Sequence, residues 1–176
     1  MSDRPAARAI HADVFTDAHR ISCRINISSM GLVALLNDNN TSMVEVEDAY
    51  FSRIQQPAKI MSHHSIAHLN KVNIPLMVLS RREDFGPSAL ARGGFARVIA
   101  CPVLITLAAY EVKGLVEAVS KYDPSAILVG GTTRFMPVYN ATATVALIPE
   151  PAYSGPVVVI NRMHAISIAE IEEAKP

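Results

Sequence analysis

Apolar positions alternate with polar ones in several short runs along the chain, and the runs come in two sets. Ala12, Val14 and Thr16 share one parity, and Val103, Ile105 and Leu107 do the same later on. Ile21, Cys23, Ile25 and Ile27 alternate with Ser22, Arg24 and Asn26, and they are matched by Val112, Gly114, Val116 and Ala118. Period two with a polar opposite face predicts half-buried antiparallel strands. The longest apolar run, Val98 to Ala109, contains Pro102 and Thr106 and reads as a buried strand.

A short helix is predicted next in each set. In the first, Leu32, Leu35 and Leu36 fall at helical spacing within Met30 to Asn37. In the second, Asp123 is suited to cap the N-terminus, Pro124 sits at the first helical position, and Gly130-Gly131 ends the segment. Ser42 to Phe51 then alternates Val44 and Val46 against Glu45 and Glu47, echoed by Met136 and Val138. Asp48 and Asn140 fall at aligned places beside Ala49 and Ala141, which predicts a bulge or bend. After a loop containing Pro57 or Pro151, a last strand is expected over Leu69 to Val78 or Val157 to Ile168.

The two sets align with a nearly constant separation. Ile21 falls over Val112 and Leu69 over Ile160, while Thr41, Val46 and Ala49 meet the identical Thr133, Val138 and Ala141 one residue further on. The expectation is a mostly β chain built from a duplicated antiparallel β-barrel or sandwich unit, four strands and one short helix per repeat, with pseudo-twofold symmetry. Its divisions are a disordered tail at 1–7, a first repeat at 8–80, a linker loop at 81–98, a second repeat at 99–171 and a tail at 172–176.

Val112-Lys113-Gly114, Phe135-Met136-Pro137-Val138 and Val159-Ile160-Asn161-Arg162 follow the order I-x-G-x-I, F-I-P-L and L-A-V-N. In this the chain resembles a small uncharacterised bacterial β-barrel domain family, present here as a tandem duplication. The first half departs from the pattern with Cys23 for the glycine and Glu45 for the proline. The resemblance implies a fold and adds no chemistry.

Composition changes the picture in one respect. Half of the residues are hydrophobic and only 18% are charged, against about 25% in ordinary soluble domains. With no tryptophan and 6% aromatics, the apolar content is aliphatic. Such a chain buries much of itself, or buries surface against copies of itself. Lys plus Arg equals Asp plus Glu at 16 each, which disfavours nucleic-acid binding driven by a basic face and favours self-association. Met1 to Ala7 lack an apolar core, and no uninterrupted apolar stretch reaches membrane-spanning length. The expectation is a cytoplasmic protein with no membrane span.

Candidate chemistry is sparse. His63, His64 and His68 are weak metal-ligand candidates, because the segment leads into a strand where positions i and i+4 lie about 13 Å apart. Cys23 and Cys101 read as small core residues, and Glu45, Glu47 and Asp48 as a solvated strand face. Neither Gly93-Gly94 nor Gly130-Gly131 belongs to a phosphate-binding motif. The unrepeated linker carries Arg81, Arg82, Phe85, Arg92, Phe95 and Arg97, a composition that protein interfaces favour. These observations lead to a non-enzymatic, cofactor-free structural or interaction protein, a homo-oligomer or a scaffold subunit. The alternative is a ligand- or nucleic-acid-binding regulator that uses the arginine-bearing loop.

Overall fold

A computed structural model describes residues 8–87, 97–119, 121–131 and 133–172. The expected tail at 1–7, half of the linker (residues 88–96, Arg92 and Phe95 included) and residues 173–176 lie outside that set. The first half comprises β1 (Arg8–Phe15), β2 (His19–Ile27), α1 (Gly31–Asn37), β3 (Met43–Arg53), β4 (Gln56–Asn70) and β5 (Leu76–Leu79). The second comprises β6 (Val98–Leu107), β7 (Tyr110–Val119), α2 (Pro124–Leu128), β8 (Phe135–Val145), β9 (Ile148–Asn161) and β10 (Ala165–Glu170). A single 3-10 turn separates β4 from β5 (Lys71–Asn73) and β9 from β10 (Arg162–His164).

All ten strands form one antiparallel sheet in the order β10-β6-β7-β8-β9-β5-β1-β2-β3-β4. Each half therefore contributes the same internal order, its fifth strand beside its first and its fourth strand at the opposite margin. Registers agree pair for pair. Met43↔Asn70, Val44↔Leu69 and Ala49↔His64 in the first half correspond to Phe135↔Asn161, Met136↔Ile160 and Ala141↔Gly155 in the second. Ala12↔Leu79 and Val14↔Met77 correspond in the same way to Val103↔Glu170 and Ile105↔Ile168.

Three expectations need correction. The sheet is not closed into a barrel, because β5 uses its outer margin on β9 rather than on β4 of its own half. The halves do not meet about a twofold axis, because the strands in contact, β9 and β5, are not equivalent ones. Each half also has five strands, not four. The stretch read as a loop with Pro57 is β4, and the final strand is divided by the 3-10 turn. β4 lacks the alternation of a half-buried strand because not one of its residues is buried.

Most local expectations survive. Asp123 caps α2 with a carboxylate oxygen that accepts from Ala126 N at 3.1 Å. Asp48 and Asn140 both adopt φ of 45°, a left-handed conformation that short polar side chains tolerate better than others. Asp48 and Ala49 lie opposite the single residue Cys23, between the pairs Ser22↔Tyr50 and Arg24↔Glu47. Asn140 and Ala141 lie opposite Gly114 in the same way, between Lys113↔Thr142 and Leu115↔Tyr139. These are β-bulges of one kind, one extra residue on the longer strand.

At the second bulge the glycine is required by space. A Cβ on Gly114 would stand 2.6 Å from Ala141 Cβ and 2.9 Å from Tyr139 O. Gly114→Cys, which installs the residue found at the matching place in the first half, is expected to cost about 1–3 kcal/mol through overpacking. A urea denaturation midpoint equal to that of the parent protein would contradict this.

Two apolar cores lie on the sheet. One gathers the first half with Phe135, Tyr139, Val157 and Val159 of the second. The other gathers the second half with Phe15, Ile54 and Leu76 of the first. The exchange of residues across β9 and β5 makes this seam continuous with both cores.

Candidate functional site

The seam between the halves is built from ladder bonds and from side chains flanking the 3-10 turns. Leu76↔Ile160, Met77↔Val159, Val78↔Val158 and Leu79↔Val157 are its strand pairs. Asn161 is fully buried; its Oδ1 accepts from Met163 N at 3.1 Å and its Nδ2 donates to Lys71 O at 3.3 Å. His164 Nε2 lies 2.7 Å from Val72 O. Asn37, at the end of α1, donates to Phe135 O at 3.2 Å and accepts from Phe135 N at 2.8 Å. Asn161, His164 and Asn37 thereby each bond a backbone group of the other half, which gives these polar side chains partners across the seam.

A basic residue steadies the loop after each helix. Lys71 Nζ donates to Asp38 O at 3.0 Å and Thr41 Oγ1 at 2.7 Å. Arg162 NH1 donates to Thr133 O at 3.0 Å. Burial pulls the pKa of Lys71 down from its usual value, with Asp38 opposing, and burial lowers that of Arg162 as well.

The two outer margins of the sheet are β4 and β10, whose second edges have no strand beside them among the described residues. β4 carries the three candidate histidines. His63 stacks on Tyr50 with ring centroids 4.4 Å apart and has Nε2 3.6 Å from Asp48 Oδ1. His64 meets Phe51 edge-on and reaches Ser62 Oγ at 3.2 Å. His68 Nε2 lies 3.3 Å from Glu45 Oε2. The three rings take three different sets of partners, and among the described residues no three His, Cys, Asp or Glu side chains converge as a metal would need. Glu45, Glu47 and Asp48 do sit on a partly exposed face, Arg24 reaching Glu47 at 3.5 Å and Asp48 at 2.6 Å.

The linker residues are spread apart. Arg81 pairs with Glu83 at 3.7 Å and Asp84 at 3.8 Å, and the buried Asp84 also takes Arg8 at 2.7 Å. Arg82 bonds Glu117 and places its guanidinium 3.8 Å over the Tyr139 ring. Phe85 is a core residue whose carbonyl accepts from Val33 N at 2.8 Å. Arg97 is exposed, just before β6. The arginines at 81 and 82 are thus matched by acids within the chain and form no open basic face.

Beside Phe85 and Pro87, a cleft of about 650 Å³ opens between α1 and α2, lined largely by apolar side chains and reached by Arg162. Sequence reasoning did not find it, because its walls come from both halves. Cys23 and Cys101 are both buried. Burial, aided by Asp13, pushes the Cys23 thiol up to about 12, and burial with Glu170 raises that of Cys101. Neither is poised as a nucleophile, which requires a lowered pKa.

Sequence reasoning also did not identify β4 and β10 as the two margins of the sheet. No local signal marks β4: of its fifteen residues only Ile60 and Ile66 strongly favour strands, and Pro57, Lys59 and Asn70 disfavour them. No helix of the described residues is long and apolar enough to cross a membrane. No family model, curated protein or solved structure matches the chain.

Proposed function

We propose that the protein is a self-associating structural subunit built from two copies of one unit, and that it works by edge-to-edge assembly with no catalysis. The observation that carries this reading is the pair of edges, at the two ends of one sheet, that have no strand beside them among the described residues. Unpaired backbone N–H and C=O groups on a strand edge are a template for another strand, and proteins that stay monomeric blunt such edges. β4 is long, and its apolar Ile60, Met61 and Ile66 are 60%, 49% and 58% exposed. β10 exposes Ile166 at 70% beside Met163 at 80%. Zero net charge leaves little long-range repulsion between copies.

The agreement of strand order, register, bulge and 3-10 turn between the halves supports descent from one unit. The matched charges of Arg81 and Arg82 favour this reading over one in which the linker grips phosphates.

Light scattering on the purified chain tests the proposal. At micromolar concentration the expected mass is a multiple of 19.0 kDa. A monomer over the whole concentration range would overturn it.

A further inference from the structure

The sheet contains a worked example of the contact its edges need. In the seam, the fourth strand of one half (β9) pairs with the fifth strand of the other (β5). The two strands left over are the fourth of the first half (β4) and the fifth of the second (β10). Resting on the reading that the chain self-associates, we infer that β4 of one copy pairs with β10 of the next in the register of the seam. The matched registers of the halves then fix the partners. Leu69 faces Ser167, His68 faces Ile168, Ala67 faces Ala169 and Ile66 faces Glu170 of the neighbouring copy.

Independent features agree with this pairing. Asn70 occupies the place of Asn161 and caps its 3-10 turn in the same way, Oδ1 accepting from Val72 N at 3.1 Å. In the seam the Nδ2 of that asparagine donates to the carbonyl of Lys71. Asn70 Nδ2 has no partner among the described residues, and its match across the new junction is the carbonyl of Arg162 in the next copy.

The second feature is where apolar surface is left open. Asn37 and Phe135 clasp each other across the seam. Their counterparts at the free ends are Val129, 83% exposed, and Met43, 41% exposed, which the pairing brings together. Pro75, whose carbonyl accepts from Asn161 N, has as its counterpart Ile166, 70% exposed. Ile66, 58% exposed, stands where Val157 is wholly buried. Exposed aliphatic groups therefore sit at the positions that the seam covers.

One difference limits the length of the contact. Gly155 lets β9 pass close to β5, where a Cβ would stand 2.8 Å from Leu79 O and 2.9 Å from Val78 Cγ1. β4 has His64 at that place. The shorter Ala169 replaces Val78 and relieves the second contact, and the first falls at Glu170, the end of β10. Pairing is thus confined to the Asn70 end of β4, and Gln56 to Ser65 stays outside it. Because the two strands are not equivalent, the contact is head-to-tail and each copy uses both of its edges.

Thiol cross-linking separates the possibilities. Ile66→Cys and Glu170→Cys alter exposed side chains, and both native cysteines are buried. Mixing the two variants under oxidation is expected to give a covalent dimer, and each variant alone is expected to give none. An Ile66→Cys dimer formed without its partner would establish symmetric β4–β4 pairing and overturn the inference, while leaving self-association intact. An oligomer by light scattering with no cross-link in the mixture would overturn it too. A monomer by light scattering would overturn both this inference and the function on which it rests. As a second arm, Ile66→Glu sets two carboxylates opposite each other and is expected to weaken association about five-fold or less, with Glu170→Lys restoring it. Failure of the reversal to restore association would contradict the register.

Discussion

Val157→Asp is expected to unfold the protein, whereas Ile66→Asp, at the equivalent place in the other half, leaves the fold of a single copy intact. Val157 is fully buried and packs into the first core while its strand pairs with β5 at Leu79. A carboxylate there has neither water nor a cation, and an unpaired buried charge costs at least about 4 kcal/mol. That is a large share of the roughly 5–15 kcal/mol by which a domain is stable. Ile66 lies on an edge and is 58% exposed, and surface substitutions of this kind stay within about 0.5 kcal/mol. Chemical denaturation of dilute samples reads the difference. Equal loss at both positions would show that β4 is as enclosed as β9, contrary to the sheet order.

The second contrast uses the paired asparagines. Asn161→Leu removes the cap acceptor for Met163 N and the donor to Lys71 O inside a fully buried site. Lys71 O keeps Ile74 N at 3.4 Å, so Met163 N is the one group stranded, and a stranded polar group costs about 1–3 kcal/mol, which is the expected loss. Asn70→Leu gives up a single exposed cap bond to Val72 N, for which about 1 kcal/mol or less is expected in the isolated chain. Its larger effect is expected on assembly, through the Nδ2 donor. Thermal unfolding at low concentration, set beside light scattering at high concentration, distinguishes the two roles. An Asn70→Leu protein that assembles like the parent would remove Asn70 from the junction.

Strands whose two faces differ were legible in the sequence. β1, β2, β3 and their counterparts put Ile21, Cys23 and Ile25 inward against Ser22 and Arg24, and that alternation survives any choice of neighbours. The Asx residues at 48 and 140 were legible for a local reason as well, since a left-handed bulge selects short polar side chains. β4 was illegible because a strand buried on neither face has no period to show. In β9 the buried run Val157 to Ile160 was legible as a strand, but Ile148 to Pro156 of the same strand, with no buried residue, reads as a loop around Pro151. β5 has four residues, and a 3-10 turn separates it from β4, so parity counted across Lys71 to Asn73 merges two strands into one.

The candidate site was less legible than the fold. Composition pointed to surface that needs a partner, but which edge stays open depends on how the halves join. That junction consists of long-range contacts, such as Asn37 with Phe135, which local patterns do not encode. The histidines drew attention through their spacing, yet each found its own partner on β3 or β4, and their importance lies in marking the outer strand. The linker drew attention through its arginines, and at Arg81 and Arg82 their charges are spent on acids of the same chain.

Hydrogen exchange of the unaltered protein across a dilution series tests most directly the claim that the two sheet edges pair with each other. Amides of Ile66 to Asn70 in β4 and of Ser167 to Glu170 in β10 are expected to gain protection together as concentration rises, while Gln56 to Ser65 does not. Unchanged exchange in both edges, from dilute sample to the highest concentration reached, would contradict it.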